Sequence, residues 1–337
     1  MDAQKLESLP PPPGVIGSLR AGFDAVANHV WLIVFPLALD IFLWLGPRLS
    51  VDGLLRPFVR YVFLQARRGV EVSELDQFLE TQANFLGLLH NFNLLSLISK
   101  FRIFPIGISS LLAQTMPVKT PLGEQNVVQI SSVPLLIGIV LILTMIGWVI
   151  GGLYFRWVSG ITLGQDEAGI SLLRAIIQTF ILSVCWLIGL MIILLPLTLI
   201  LTLLAFINPL LANGAIFVIL LLSFWMVVPL FFMPHGIFAR RQNAFYSALT
   251  SLRLARFTFP TSGMFVISVL ILSQGLNYLW SVPPNDSWMT LVGIAGHAFI
   301  TTAVLAASFV YYRDMNVWLQ TVFEQWQKMR TAPTQRA

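Results

Sequence analysis

Five stretches of this chain, near residues 133 to 155, 175 to 206, 213 to 234, 261 to 282 and 288 to 312, each run 22 residues or more without a charged side chain. The hydrocarbon core of a bilayer is about 30 Å thick and an α-helix rises about 1.5 Å per residue, so roughly 20 apolar residues cross it. The chain is therefore an all-α polytopic membrane protein. Its composition agrees: 57% of residues are hydrophobic and 10% charged, against roughly 25% charged in a soluble domain. The net charge of +5 resides largely in arginines near helix ends. Anionic lipid headgroups and membrane orientation explain them there, so nucleic acid is not an expected partner. The single cysteine, Cys185, excludes an internal disulfide and reads as a small buried hydrophobe within an apolar span.

A shorter sixth span runs from about His29 to Gly46, with Trp31 and Trp44 near its ends as headgroup anchors. Asp2, Glu7 and Pro10 to Pro13 precede it, a beginning unlike that of a cleaved signal peptide. The expected organisation is a disordered tail over 1–14, one membrane domain over 15–320, and a cytoplasmic tail over 321–337. The helices are placed at about 29–46, 133–155, 178–206, 213–234, 261–282 and 288–312. Connections 207–212 and 283–287 carry no Lys or Arg, whereas 235–260 carries Arg240, Arg241, Arg253 and Arg256. The positive-inside rule puts that segment and both termini in the cytoplasm, in an inner (cytoplasmic) membrane. Pro196 predicts a kink in the third span.

An internal repeat organises the chain. Ser18-Leu19-Arg20, Ser171-Leu172-Leu173-Arg174 and Ser251-Leu252-Arg253 each precede an odd-numbered span. The even-numbered spans end in Tyr154-Phe155-Arg156, Phe238-Ala239-Arg240 and Tyr311-Tyr312-Arg313, which read as an aromatic belt followed by a snorkelling cation. Arg20, Arg156, Arg174, Arg240, Arg253 and Arg313 are thus expected to face cytoplasmic headgroups. The implied unit is an interfacial helix, a helix up and a helix down, giving three parallel repeats. Entry and exit arginines are 66 residues apart in the second unit (174 to 240), 60 in the third (253 to 313) and 136 in the first (20 to 156). The first unit therefore holds an insertion of roughly 70 residues, about 50–115, on the outer side.

Within the insertion, Val51 to Gly69 and the stretch from Ser73 to Leu89 carry apolar residues at helical spacing, the second headed by a Ser73/Asp76 capping pair. Leu75, Phe78, Leu79, Phe85 and Leu86 are expected to be buried against the bundle or lipid. Phe92 to Ala113 is apolar but holds Lys100 and Arg102, each costing about 2.5 kcal/mol or more at mid-bilayer, and is expected to be interfacial or re-entrant.

Asp40 is the one acidic side chain within a span, and an intramembrane ionisable group is a candidate functional residue. Measured back from the outer helix ends at about 1.5 Å per residue, Asp40, Gln274, Asn277 and His297 lie roughly 8 to 14 Å deep and could form one polar layer. Two readings stand: a site for a proton, cation or polar headgroup, or a structural hydrogen-bond cluster, with Asp40 turned toward Arg48 as a variant. Gly147 and Gly151 form a small-xxx-small pair suited to close helix packing. His235 lacks metal-ligand neighbours and reads as interfacial. No catalytic, metal or cofactor motif is visible, and no nucleophile elbow.

The Ser-Leu-Arg entries, the six spans and the final Val310-Tyr311-Tyr312-Arg313-Asp314 resemble bacterial membrane domains found alone or joined to glycerophosphodiester phosphodiesterases. The likeness covers about residues 15 to 60 and 133 to 320, and the insertion departs from it. It implies a bacterial inner-membrane protein concerned with lipids or an envelope complex. The chain holds no phosphodiesterase domain, so that activity does not follow. The expected function is a non-enzymatic scaffold or assembly component of an envelope complex. Its partners would be membrane lipids and other membrane proteins bound through residues 50–115. The alternative is a transporter or lipid-handling protein with a polar site around Asp40 and His297.

Overall fold

A computed structural model describes residues 11–99, 105–164 and 169–331. Residues 1–10 of the expected N-terminal tail, together with Lys100 and Arg102, lie outside the described residues. In chain order the helices are α1 (Val15–Asn28), α2 (Val34–Leu45), α3 (Asp52–Ala66), α4 (Leu75–Asn91), α5 (Leu112–Thr115), α6 (Val133–Leu163), α7 (Leu172–Ile207), α8 (Pro209–Phe232), α9 (His235–Arg240), α10 (Ala244–Trp280) and α11 (Thr290–Thr331). Four short strands, β1 (Arg48–Ser50), β2 (Lys119–Thr120), β3 (Gly123–Glu124) and β4 (Val127–Gln129), make two two-stranded sheets. β1 pairs parallel with β4, setting Arg48 beside Val127 and Ser50 beside Gln129.

Among the described residues, five helices are long and apolar enough to cross a membrane: α6, α7, the run Pro209–Arg240, α10 and α11. A sixth span exists if α1 and Val30–Leu45, bent by 97° at the break between them, count as one. Val30–Leu45 rises only about 24 Å, short of a full hydrocarbon core. α11 continues without interruption beyond Arg313 to Thr331. α7 runs through Pro196, and the break in helical geometry falls instead at Thr258 of α10, two residues before Pro260. Proline removes a backbone donor and crowds the preceding turn. Nearby hydroxyls take up backbone carbonyls there: Thr258 Oγ1 donates to Leu254 O at 2.7 Å, and Thr261 Oγ1 to Thr258 O at 3.0 Å.

Contacts divide the chain into two units. The first comprises Met1–Leu32, Phe155–Ser273 and Ile300–Ala337. Its core gathers Phe232, Phe265, Tyr311, Tyr312 and Met315, with Phe265 stacked on Tyr311 at 4.1 Å. Aromatics of the three exit motifs belong to buried packing, contrary to the expected headgroup belt. Phe155 lies 5.6 Å from Phe238 and 6.1 Å from Phe309, and Tyr311 and Tyr312 are fully buried. Ring pairs of this kind add about 0.5–1.5 kcal/mol beyond area burial, and a flat ring beside arginine serves a protein neighbour as well as a lipid. His235 is buried as well, not interfacial: Nε2 lies 2.7 Å from Ser308 Oγ, with the Phe309 ring at 4.7 Å. Gly22 of α1 lies so close to Ala303 and Ala307 that a Cβ there would overlap their backbone. Cys185 is exposed on α7, a helix whose apolar surface is largely uncovered by protein, so the buried-thiol expectation is corrected.

The second unit comprises Ile33–Tyr154 and Gln274–Phe299. α3 and α4, the two amphipathic helices expected in the insertion, pair as a hairpin, with Phe63 5.6 Å from Phe78 and 5.9 Å from Phe85. None of the five residues expected to be buried here is fully covered by protein; Leu79 and Phe85 are exposed. Trp44 is fully enclosed, and its indole N–H donates to Asn285 O at 2.8 Å, so it is no headgroup anchor.

Candidate functional site

The polar layer of the second unit is organised by the insertion. Beyond the Leu94–Ile98 turn, the insertion presses its backbone against α6. A Cβ on Gly147 would stand 2.8 Å from Ile98 O, and one on Gly151 2.7 Å from Gly107 Cα. The small-xxx-small pair therefore admits inserted chain and not a neighbouring helix. Gly147 lies 14 residues into α6, about 21 Å along its axis, so the insertion reaches far down the helix.

Asp40 of α2 is fully buried and holds this inserted chain. Its Oδ1 accepts from the Ser110 hydroxyl and from Leu112 N–H at 3.1 Å, and its Oδ2 accepts from Leu111 N–H at 3.1 Å. Ser110 Oγ in turn accepts from Ala113 N–H at 3.0 Å. These are the donors that a helix start leaves without intrahelical partners, and a carboxylate satisfies them well.

His297 of α11 is equally buried and engages the preceding serine. Nδ1 lies 2.7 Å from Asn277 Oδ1, and Nε2 lies 3.3 Å from Ser109 Oγ. With the amide oxygen as acceptor, the ring proton sits on Nδ1, and Nε2 accepts from Ser109. Asp40 and His297 are thus joined through the Ser109-Ser110 pair and not by direct exchange. Gln274 is exposed and makes no side-chain hydrogen bond among the described residues, and Asp40 forms no ion pair with Arg48. The serines were missed from the sequence because the carboxylate and the chain that donates to it are 70 residues apart.

A second cluster fixes the hairpin. Arg56 grips Asp52 through Nε at 2.8 Å and Nη2 at 2.6 Å, and His90 Nδ1 reaches the same carboxylate at 3.2 Å. Burial pushes the Asp52 carboxyl up, but Arg56 and His90 together outweigh it and hold the group below its ordinary value of 3.8.

Of the six headgroup candidates, five bond to the protein itself, three of them to groups distant in the sequence. Arg156 Nε donates to Ile170 O at 2.7 Å, Arg174 Nη2 to Arg241 O at 2.8 Å, and Arg240 Nη1 to Asn316 Oδ1 at 3.1 Å. Arg20 and Arg313 meet their near neighbours Asp24 and Asp314, and Arg253 is exposed. Among the described residues no group of three or more His, Cys, Asp or Glu side chains is placed to hold a metal ion. The chain matches no protein-family model, no curated protein and no solved structure.

Proposed function

We propose that this integral membrane protein is a non-enzymatic scaffold or assembly component of a bacterial envelope complex, with residues 50–115 as its docking surface. The observation that carries the reading is how the polar layer is used: both Asp40 oxygens and both His297 nitrogens are engaged, and the partners include the insertion itself. A transport site needs such groups free to exchange a ligand. The anchored insertion then presents a broad apolar face, with Phe58 65%, Tyr61 59% and Leu88 63% exposed. Exposed apolar surface of this extent suits a protein partner. The likeness to phosphodiesterase-associated membrane domains accords with an envelope role.

The test is a photo-crosslinking amino acid placed in cells at Phe58 or Leu88, with Leu194 on α7 as the lipid-facing reference. A discrete protein adduct at 58 or 88, absent at 194, is expected. Adducts to lipid alone at all three positions would overturn the scaffold reading.

A further inference from the structure

We infer that Arg48 is the centre of an oxyanion site in the second unit, one that takes a phosphate group. Arg48 is 3% exposed, yet neither Nε nor Nη1 has a hydrogen-bond partner. Among the described residues no acidic side chain forms an ion pair with it. The two buried carboxylates of the unit are engaged elsewhere, Asp40 with Ser110 to Leu112 and Asp52 with Arg56 and His90. A guanidinium cannot shed its proton, so burial leaves a full positive charge and aligned donors without an acceptor.

The surroundings indicate what would fill that place. Burial alternates along β1, so Arg48 and Ser50 share its inner face. Ser50 Oγ accepts from Asp52 N–H at 3.2 Å, while its own proton finds no acceptor among the described residues. Next to Asn126, whose carbonyl takes the Arg48 N–H at 2.9 Å, Gln125 donates through Nε2 to Leu43 O and Trp44 O and leaves Oε1 buried without a donor. Unfilled donors therefore outnumber the single unfilled acceptor. Phosphate chemistry matches both, because its charged oxygens suit a planar guanidinium and a hydroxyl, and a protonated or glycerol-bearing form supplies an O–H for Gln125. β4, the strand paired with β1, is exposed along its length, so the site lies one strand from the surface. The source is either a lipid headgroup or free phosphate.

The full-length protein, delipidated in mild detergent, would be titrated with sodium phosphate, with phosphatidylglycerol, and with sodium chloride at matched ionic strength, following its thermal midpoint. Wild type should rise with phosphate or phosphatidylglycerol and not with chloride, since a ligand that binds only the folded state stabilises it. A rise with both assigns free phosphate as an accessible ligand, and a rise with the lipid alone assigns a headgroup. Arg48→Met should lose the response and, without added anion, unfold no lower than wild type, because it removes an uncompensated charge. Arg48→Lys should keep a weakened response, which holds the test open if the Met variant does not fold. A wild type indifferent to both ligands, or a Met variant that responds like wild type, would overturn the inference.

Discussion

Replacing Asp40 measures how firmly the inserted chain is held. Oδ1 takes two donors, the Ser110 hydroxyl and Leu112 N–H, and Oδ2 takes Leu111 N–H. Asparagine keeps one oxygen, which can retain the Oδ1 pair, but points an NH2 at Leu111 N–H, leaving one buried donor unpaired at about 1–3 kcal/mol. Leucine strands both backbone donors, while the Ser110 hydroxyl can rotate elsewhere, so its expected cost is about 2–6 kcal/mol. Against a typical net stability of about 5–15 kcal/mol either change is measurable. Hydrogen exchange by mass spectrometry in detergent reads it directly. Peptides covering 105–116 should exchange roughly tenfold to a hundredfold faster in Asp40→Asn and faster still in Asp40→Leu, each 1.4 kcal/mol of local opening being a factor of about ten. Peptides from 254–265 in the first unit should not change. An Asp40→Leu protein with unaltered exchange over 105–116, or with equal acceleration everywhere, would refute the assignment of this carboxylate to the inserted chain.

The arginine distribution predicts that, with Cys185 replaced, cysteine at Asn285 reacts with an impermeant thiol reagent in intact cells and cysteine at Arg241 does not; the reverse pattern would invert the topology. Gly151→Leu should unseat the insertion, because a side chain there meets Gly107 backbone at 2.7 Å, and should expose 105–116 to exchange, whereas Gly138→Leu, with open space around it, should leave exchange there unchanged. Asp52 titrates below its ordinary 3.8 when folded, so its contribution to hairpin stability is present above 3.8 and is lost as pH falls below that through the lower folded value. Exchange over 52–91 should accelerate in that acid range in wild type, and Asp52→Asn should already be loosened at neutral pH with a smaller acid step.

The spans were legible because length and absence of charge report directly on the bilayer, and the two helices of the hairpin because they repeat apolar residues at helical spacing. Val51 to Gly69 became Asp52–Ala66, and the Ser73 to Leu89 stretch became Leu75–Asn91. What sequence could not supply was the neighbour of each face. The exit aromatics precede arginines as a belt would, yet Phe155, Phe238 and Phe309 meet one another, a pairing between residues tens of positions apart. Strands of two or three residues such as β1 and β4 carry too little pattern to be read, and their pairing joins Arg48 to Val127. For the same reason sequence could not show that Asp40 bonds Ser110, or that His297 bonds Ser109 and Asn277.

That wiring gives the buried Asp40 carboxylate a structural use, the holding of inserted backbone. Non-helical backbone at membrane depth is tolerated only where protein surrounds it and its N–H and C=O groups find partners. The insertion meets both demands at once: Gly147 and Gly151 let its backbone lie against α6, and Asp40 answers the donors at its turn into α5. His297, oriented by Asn277, completes the layer through Ser109. Asp40, Asn277 and His297 are thus used in holding the inserted chain, directly or through one another. The insertion and the polar side chains that hold it form one structural device.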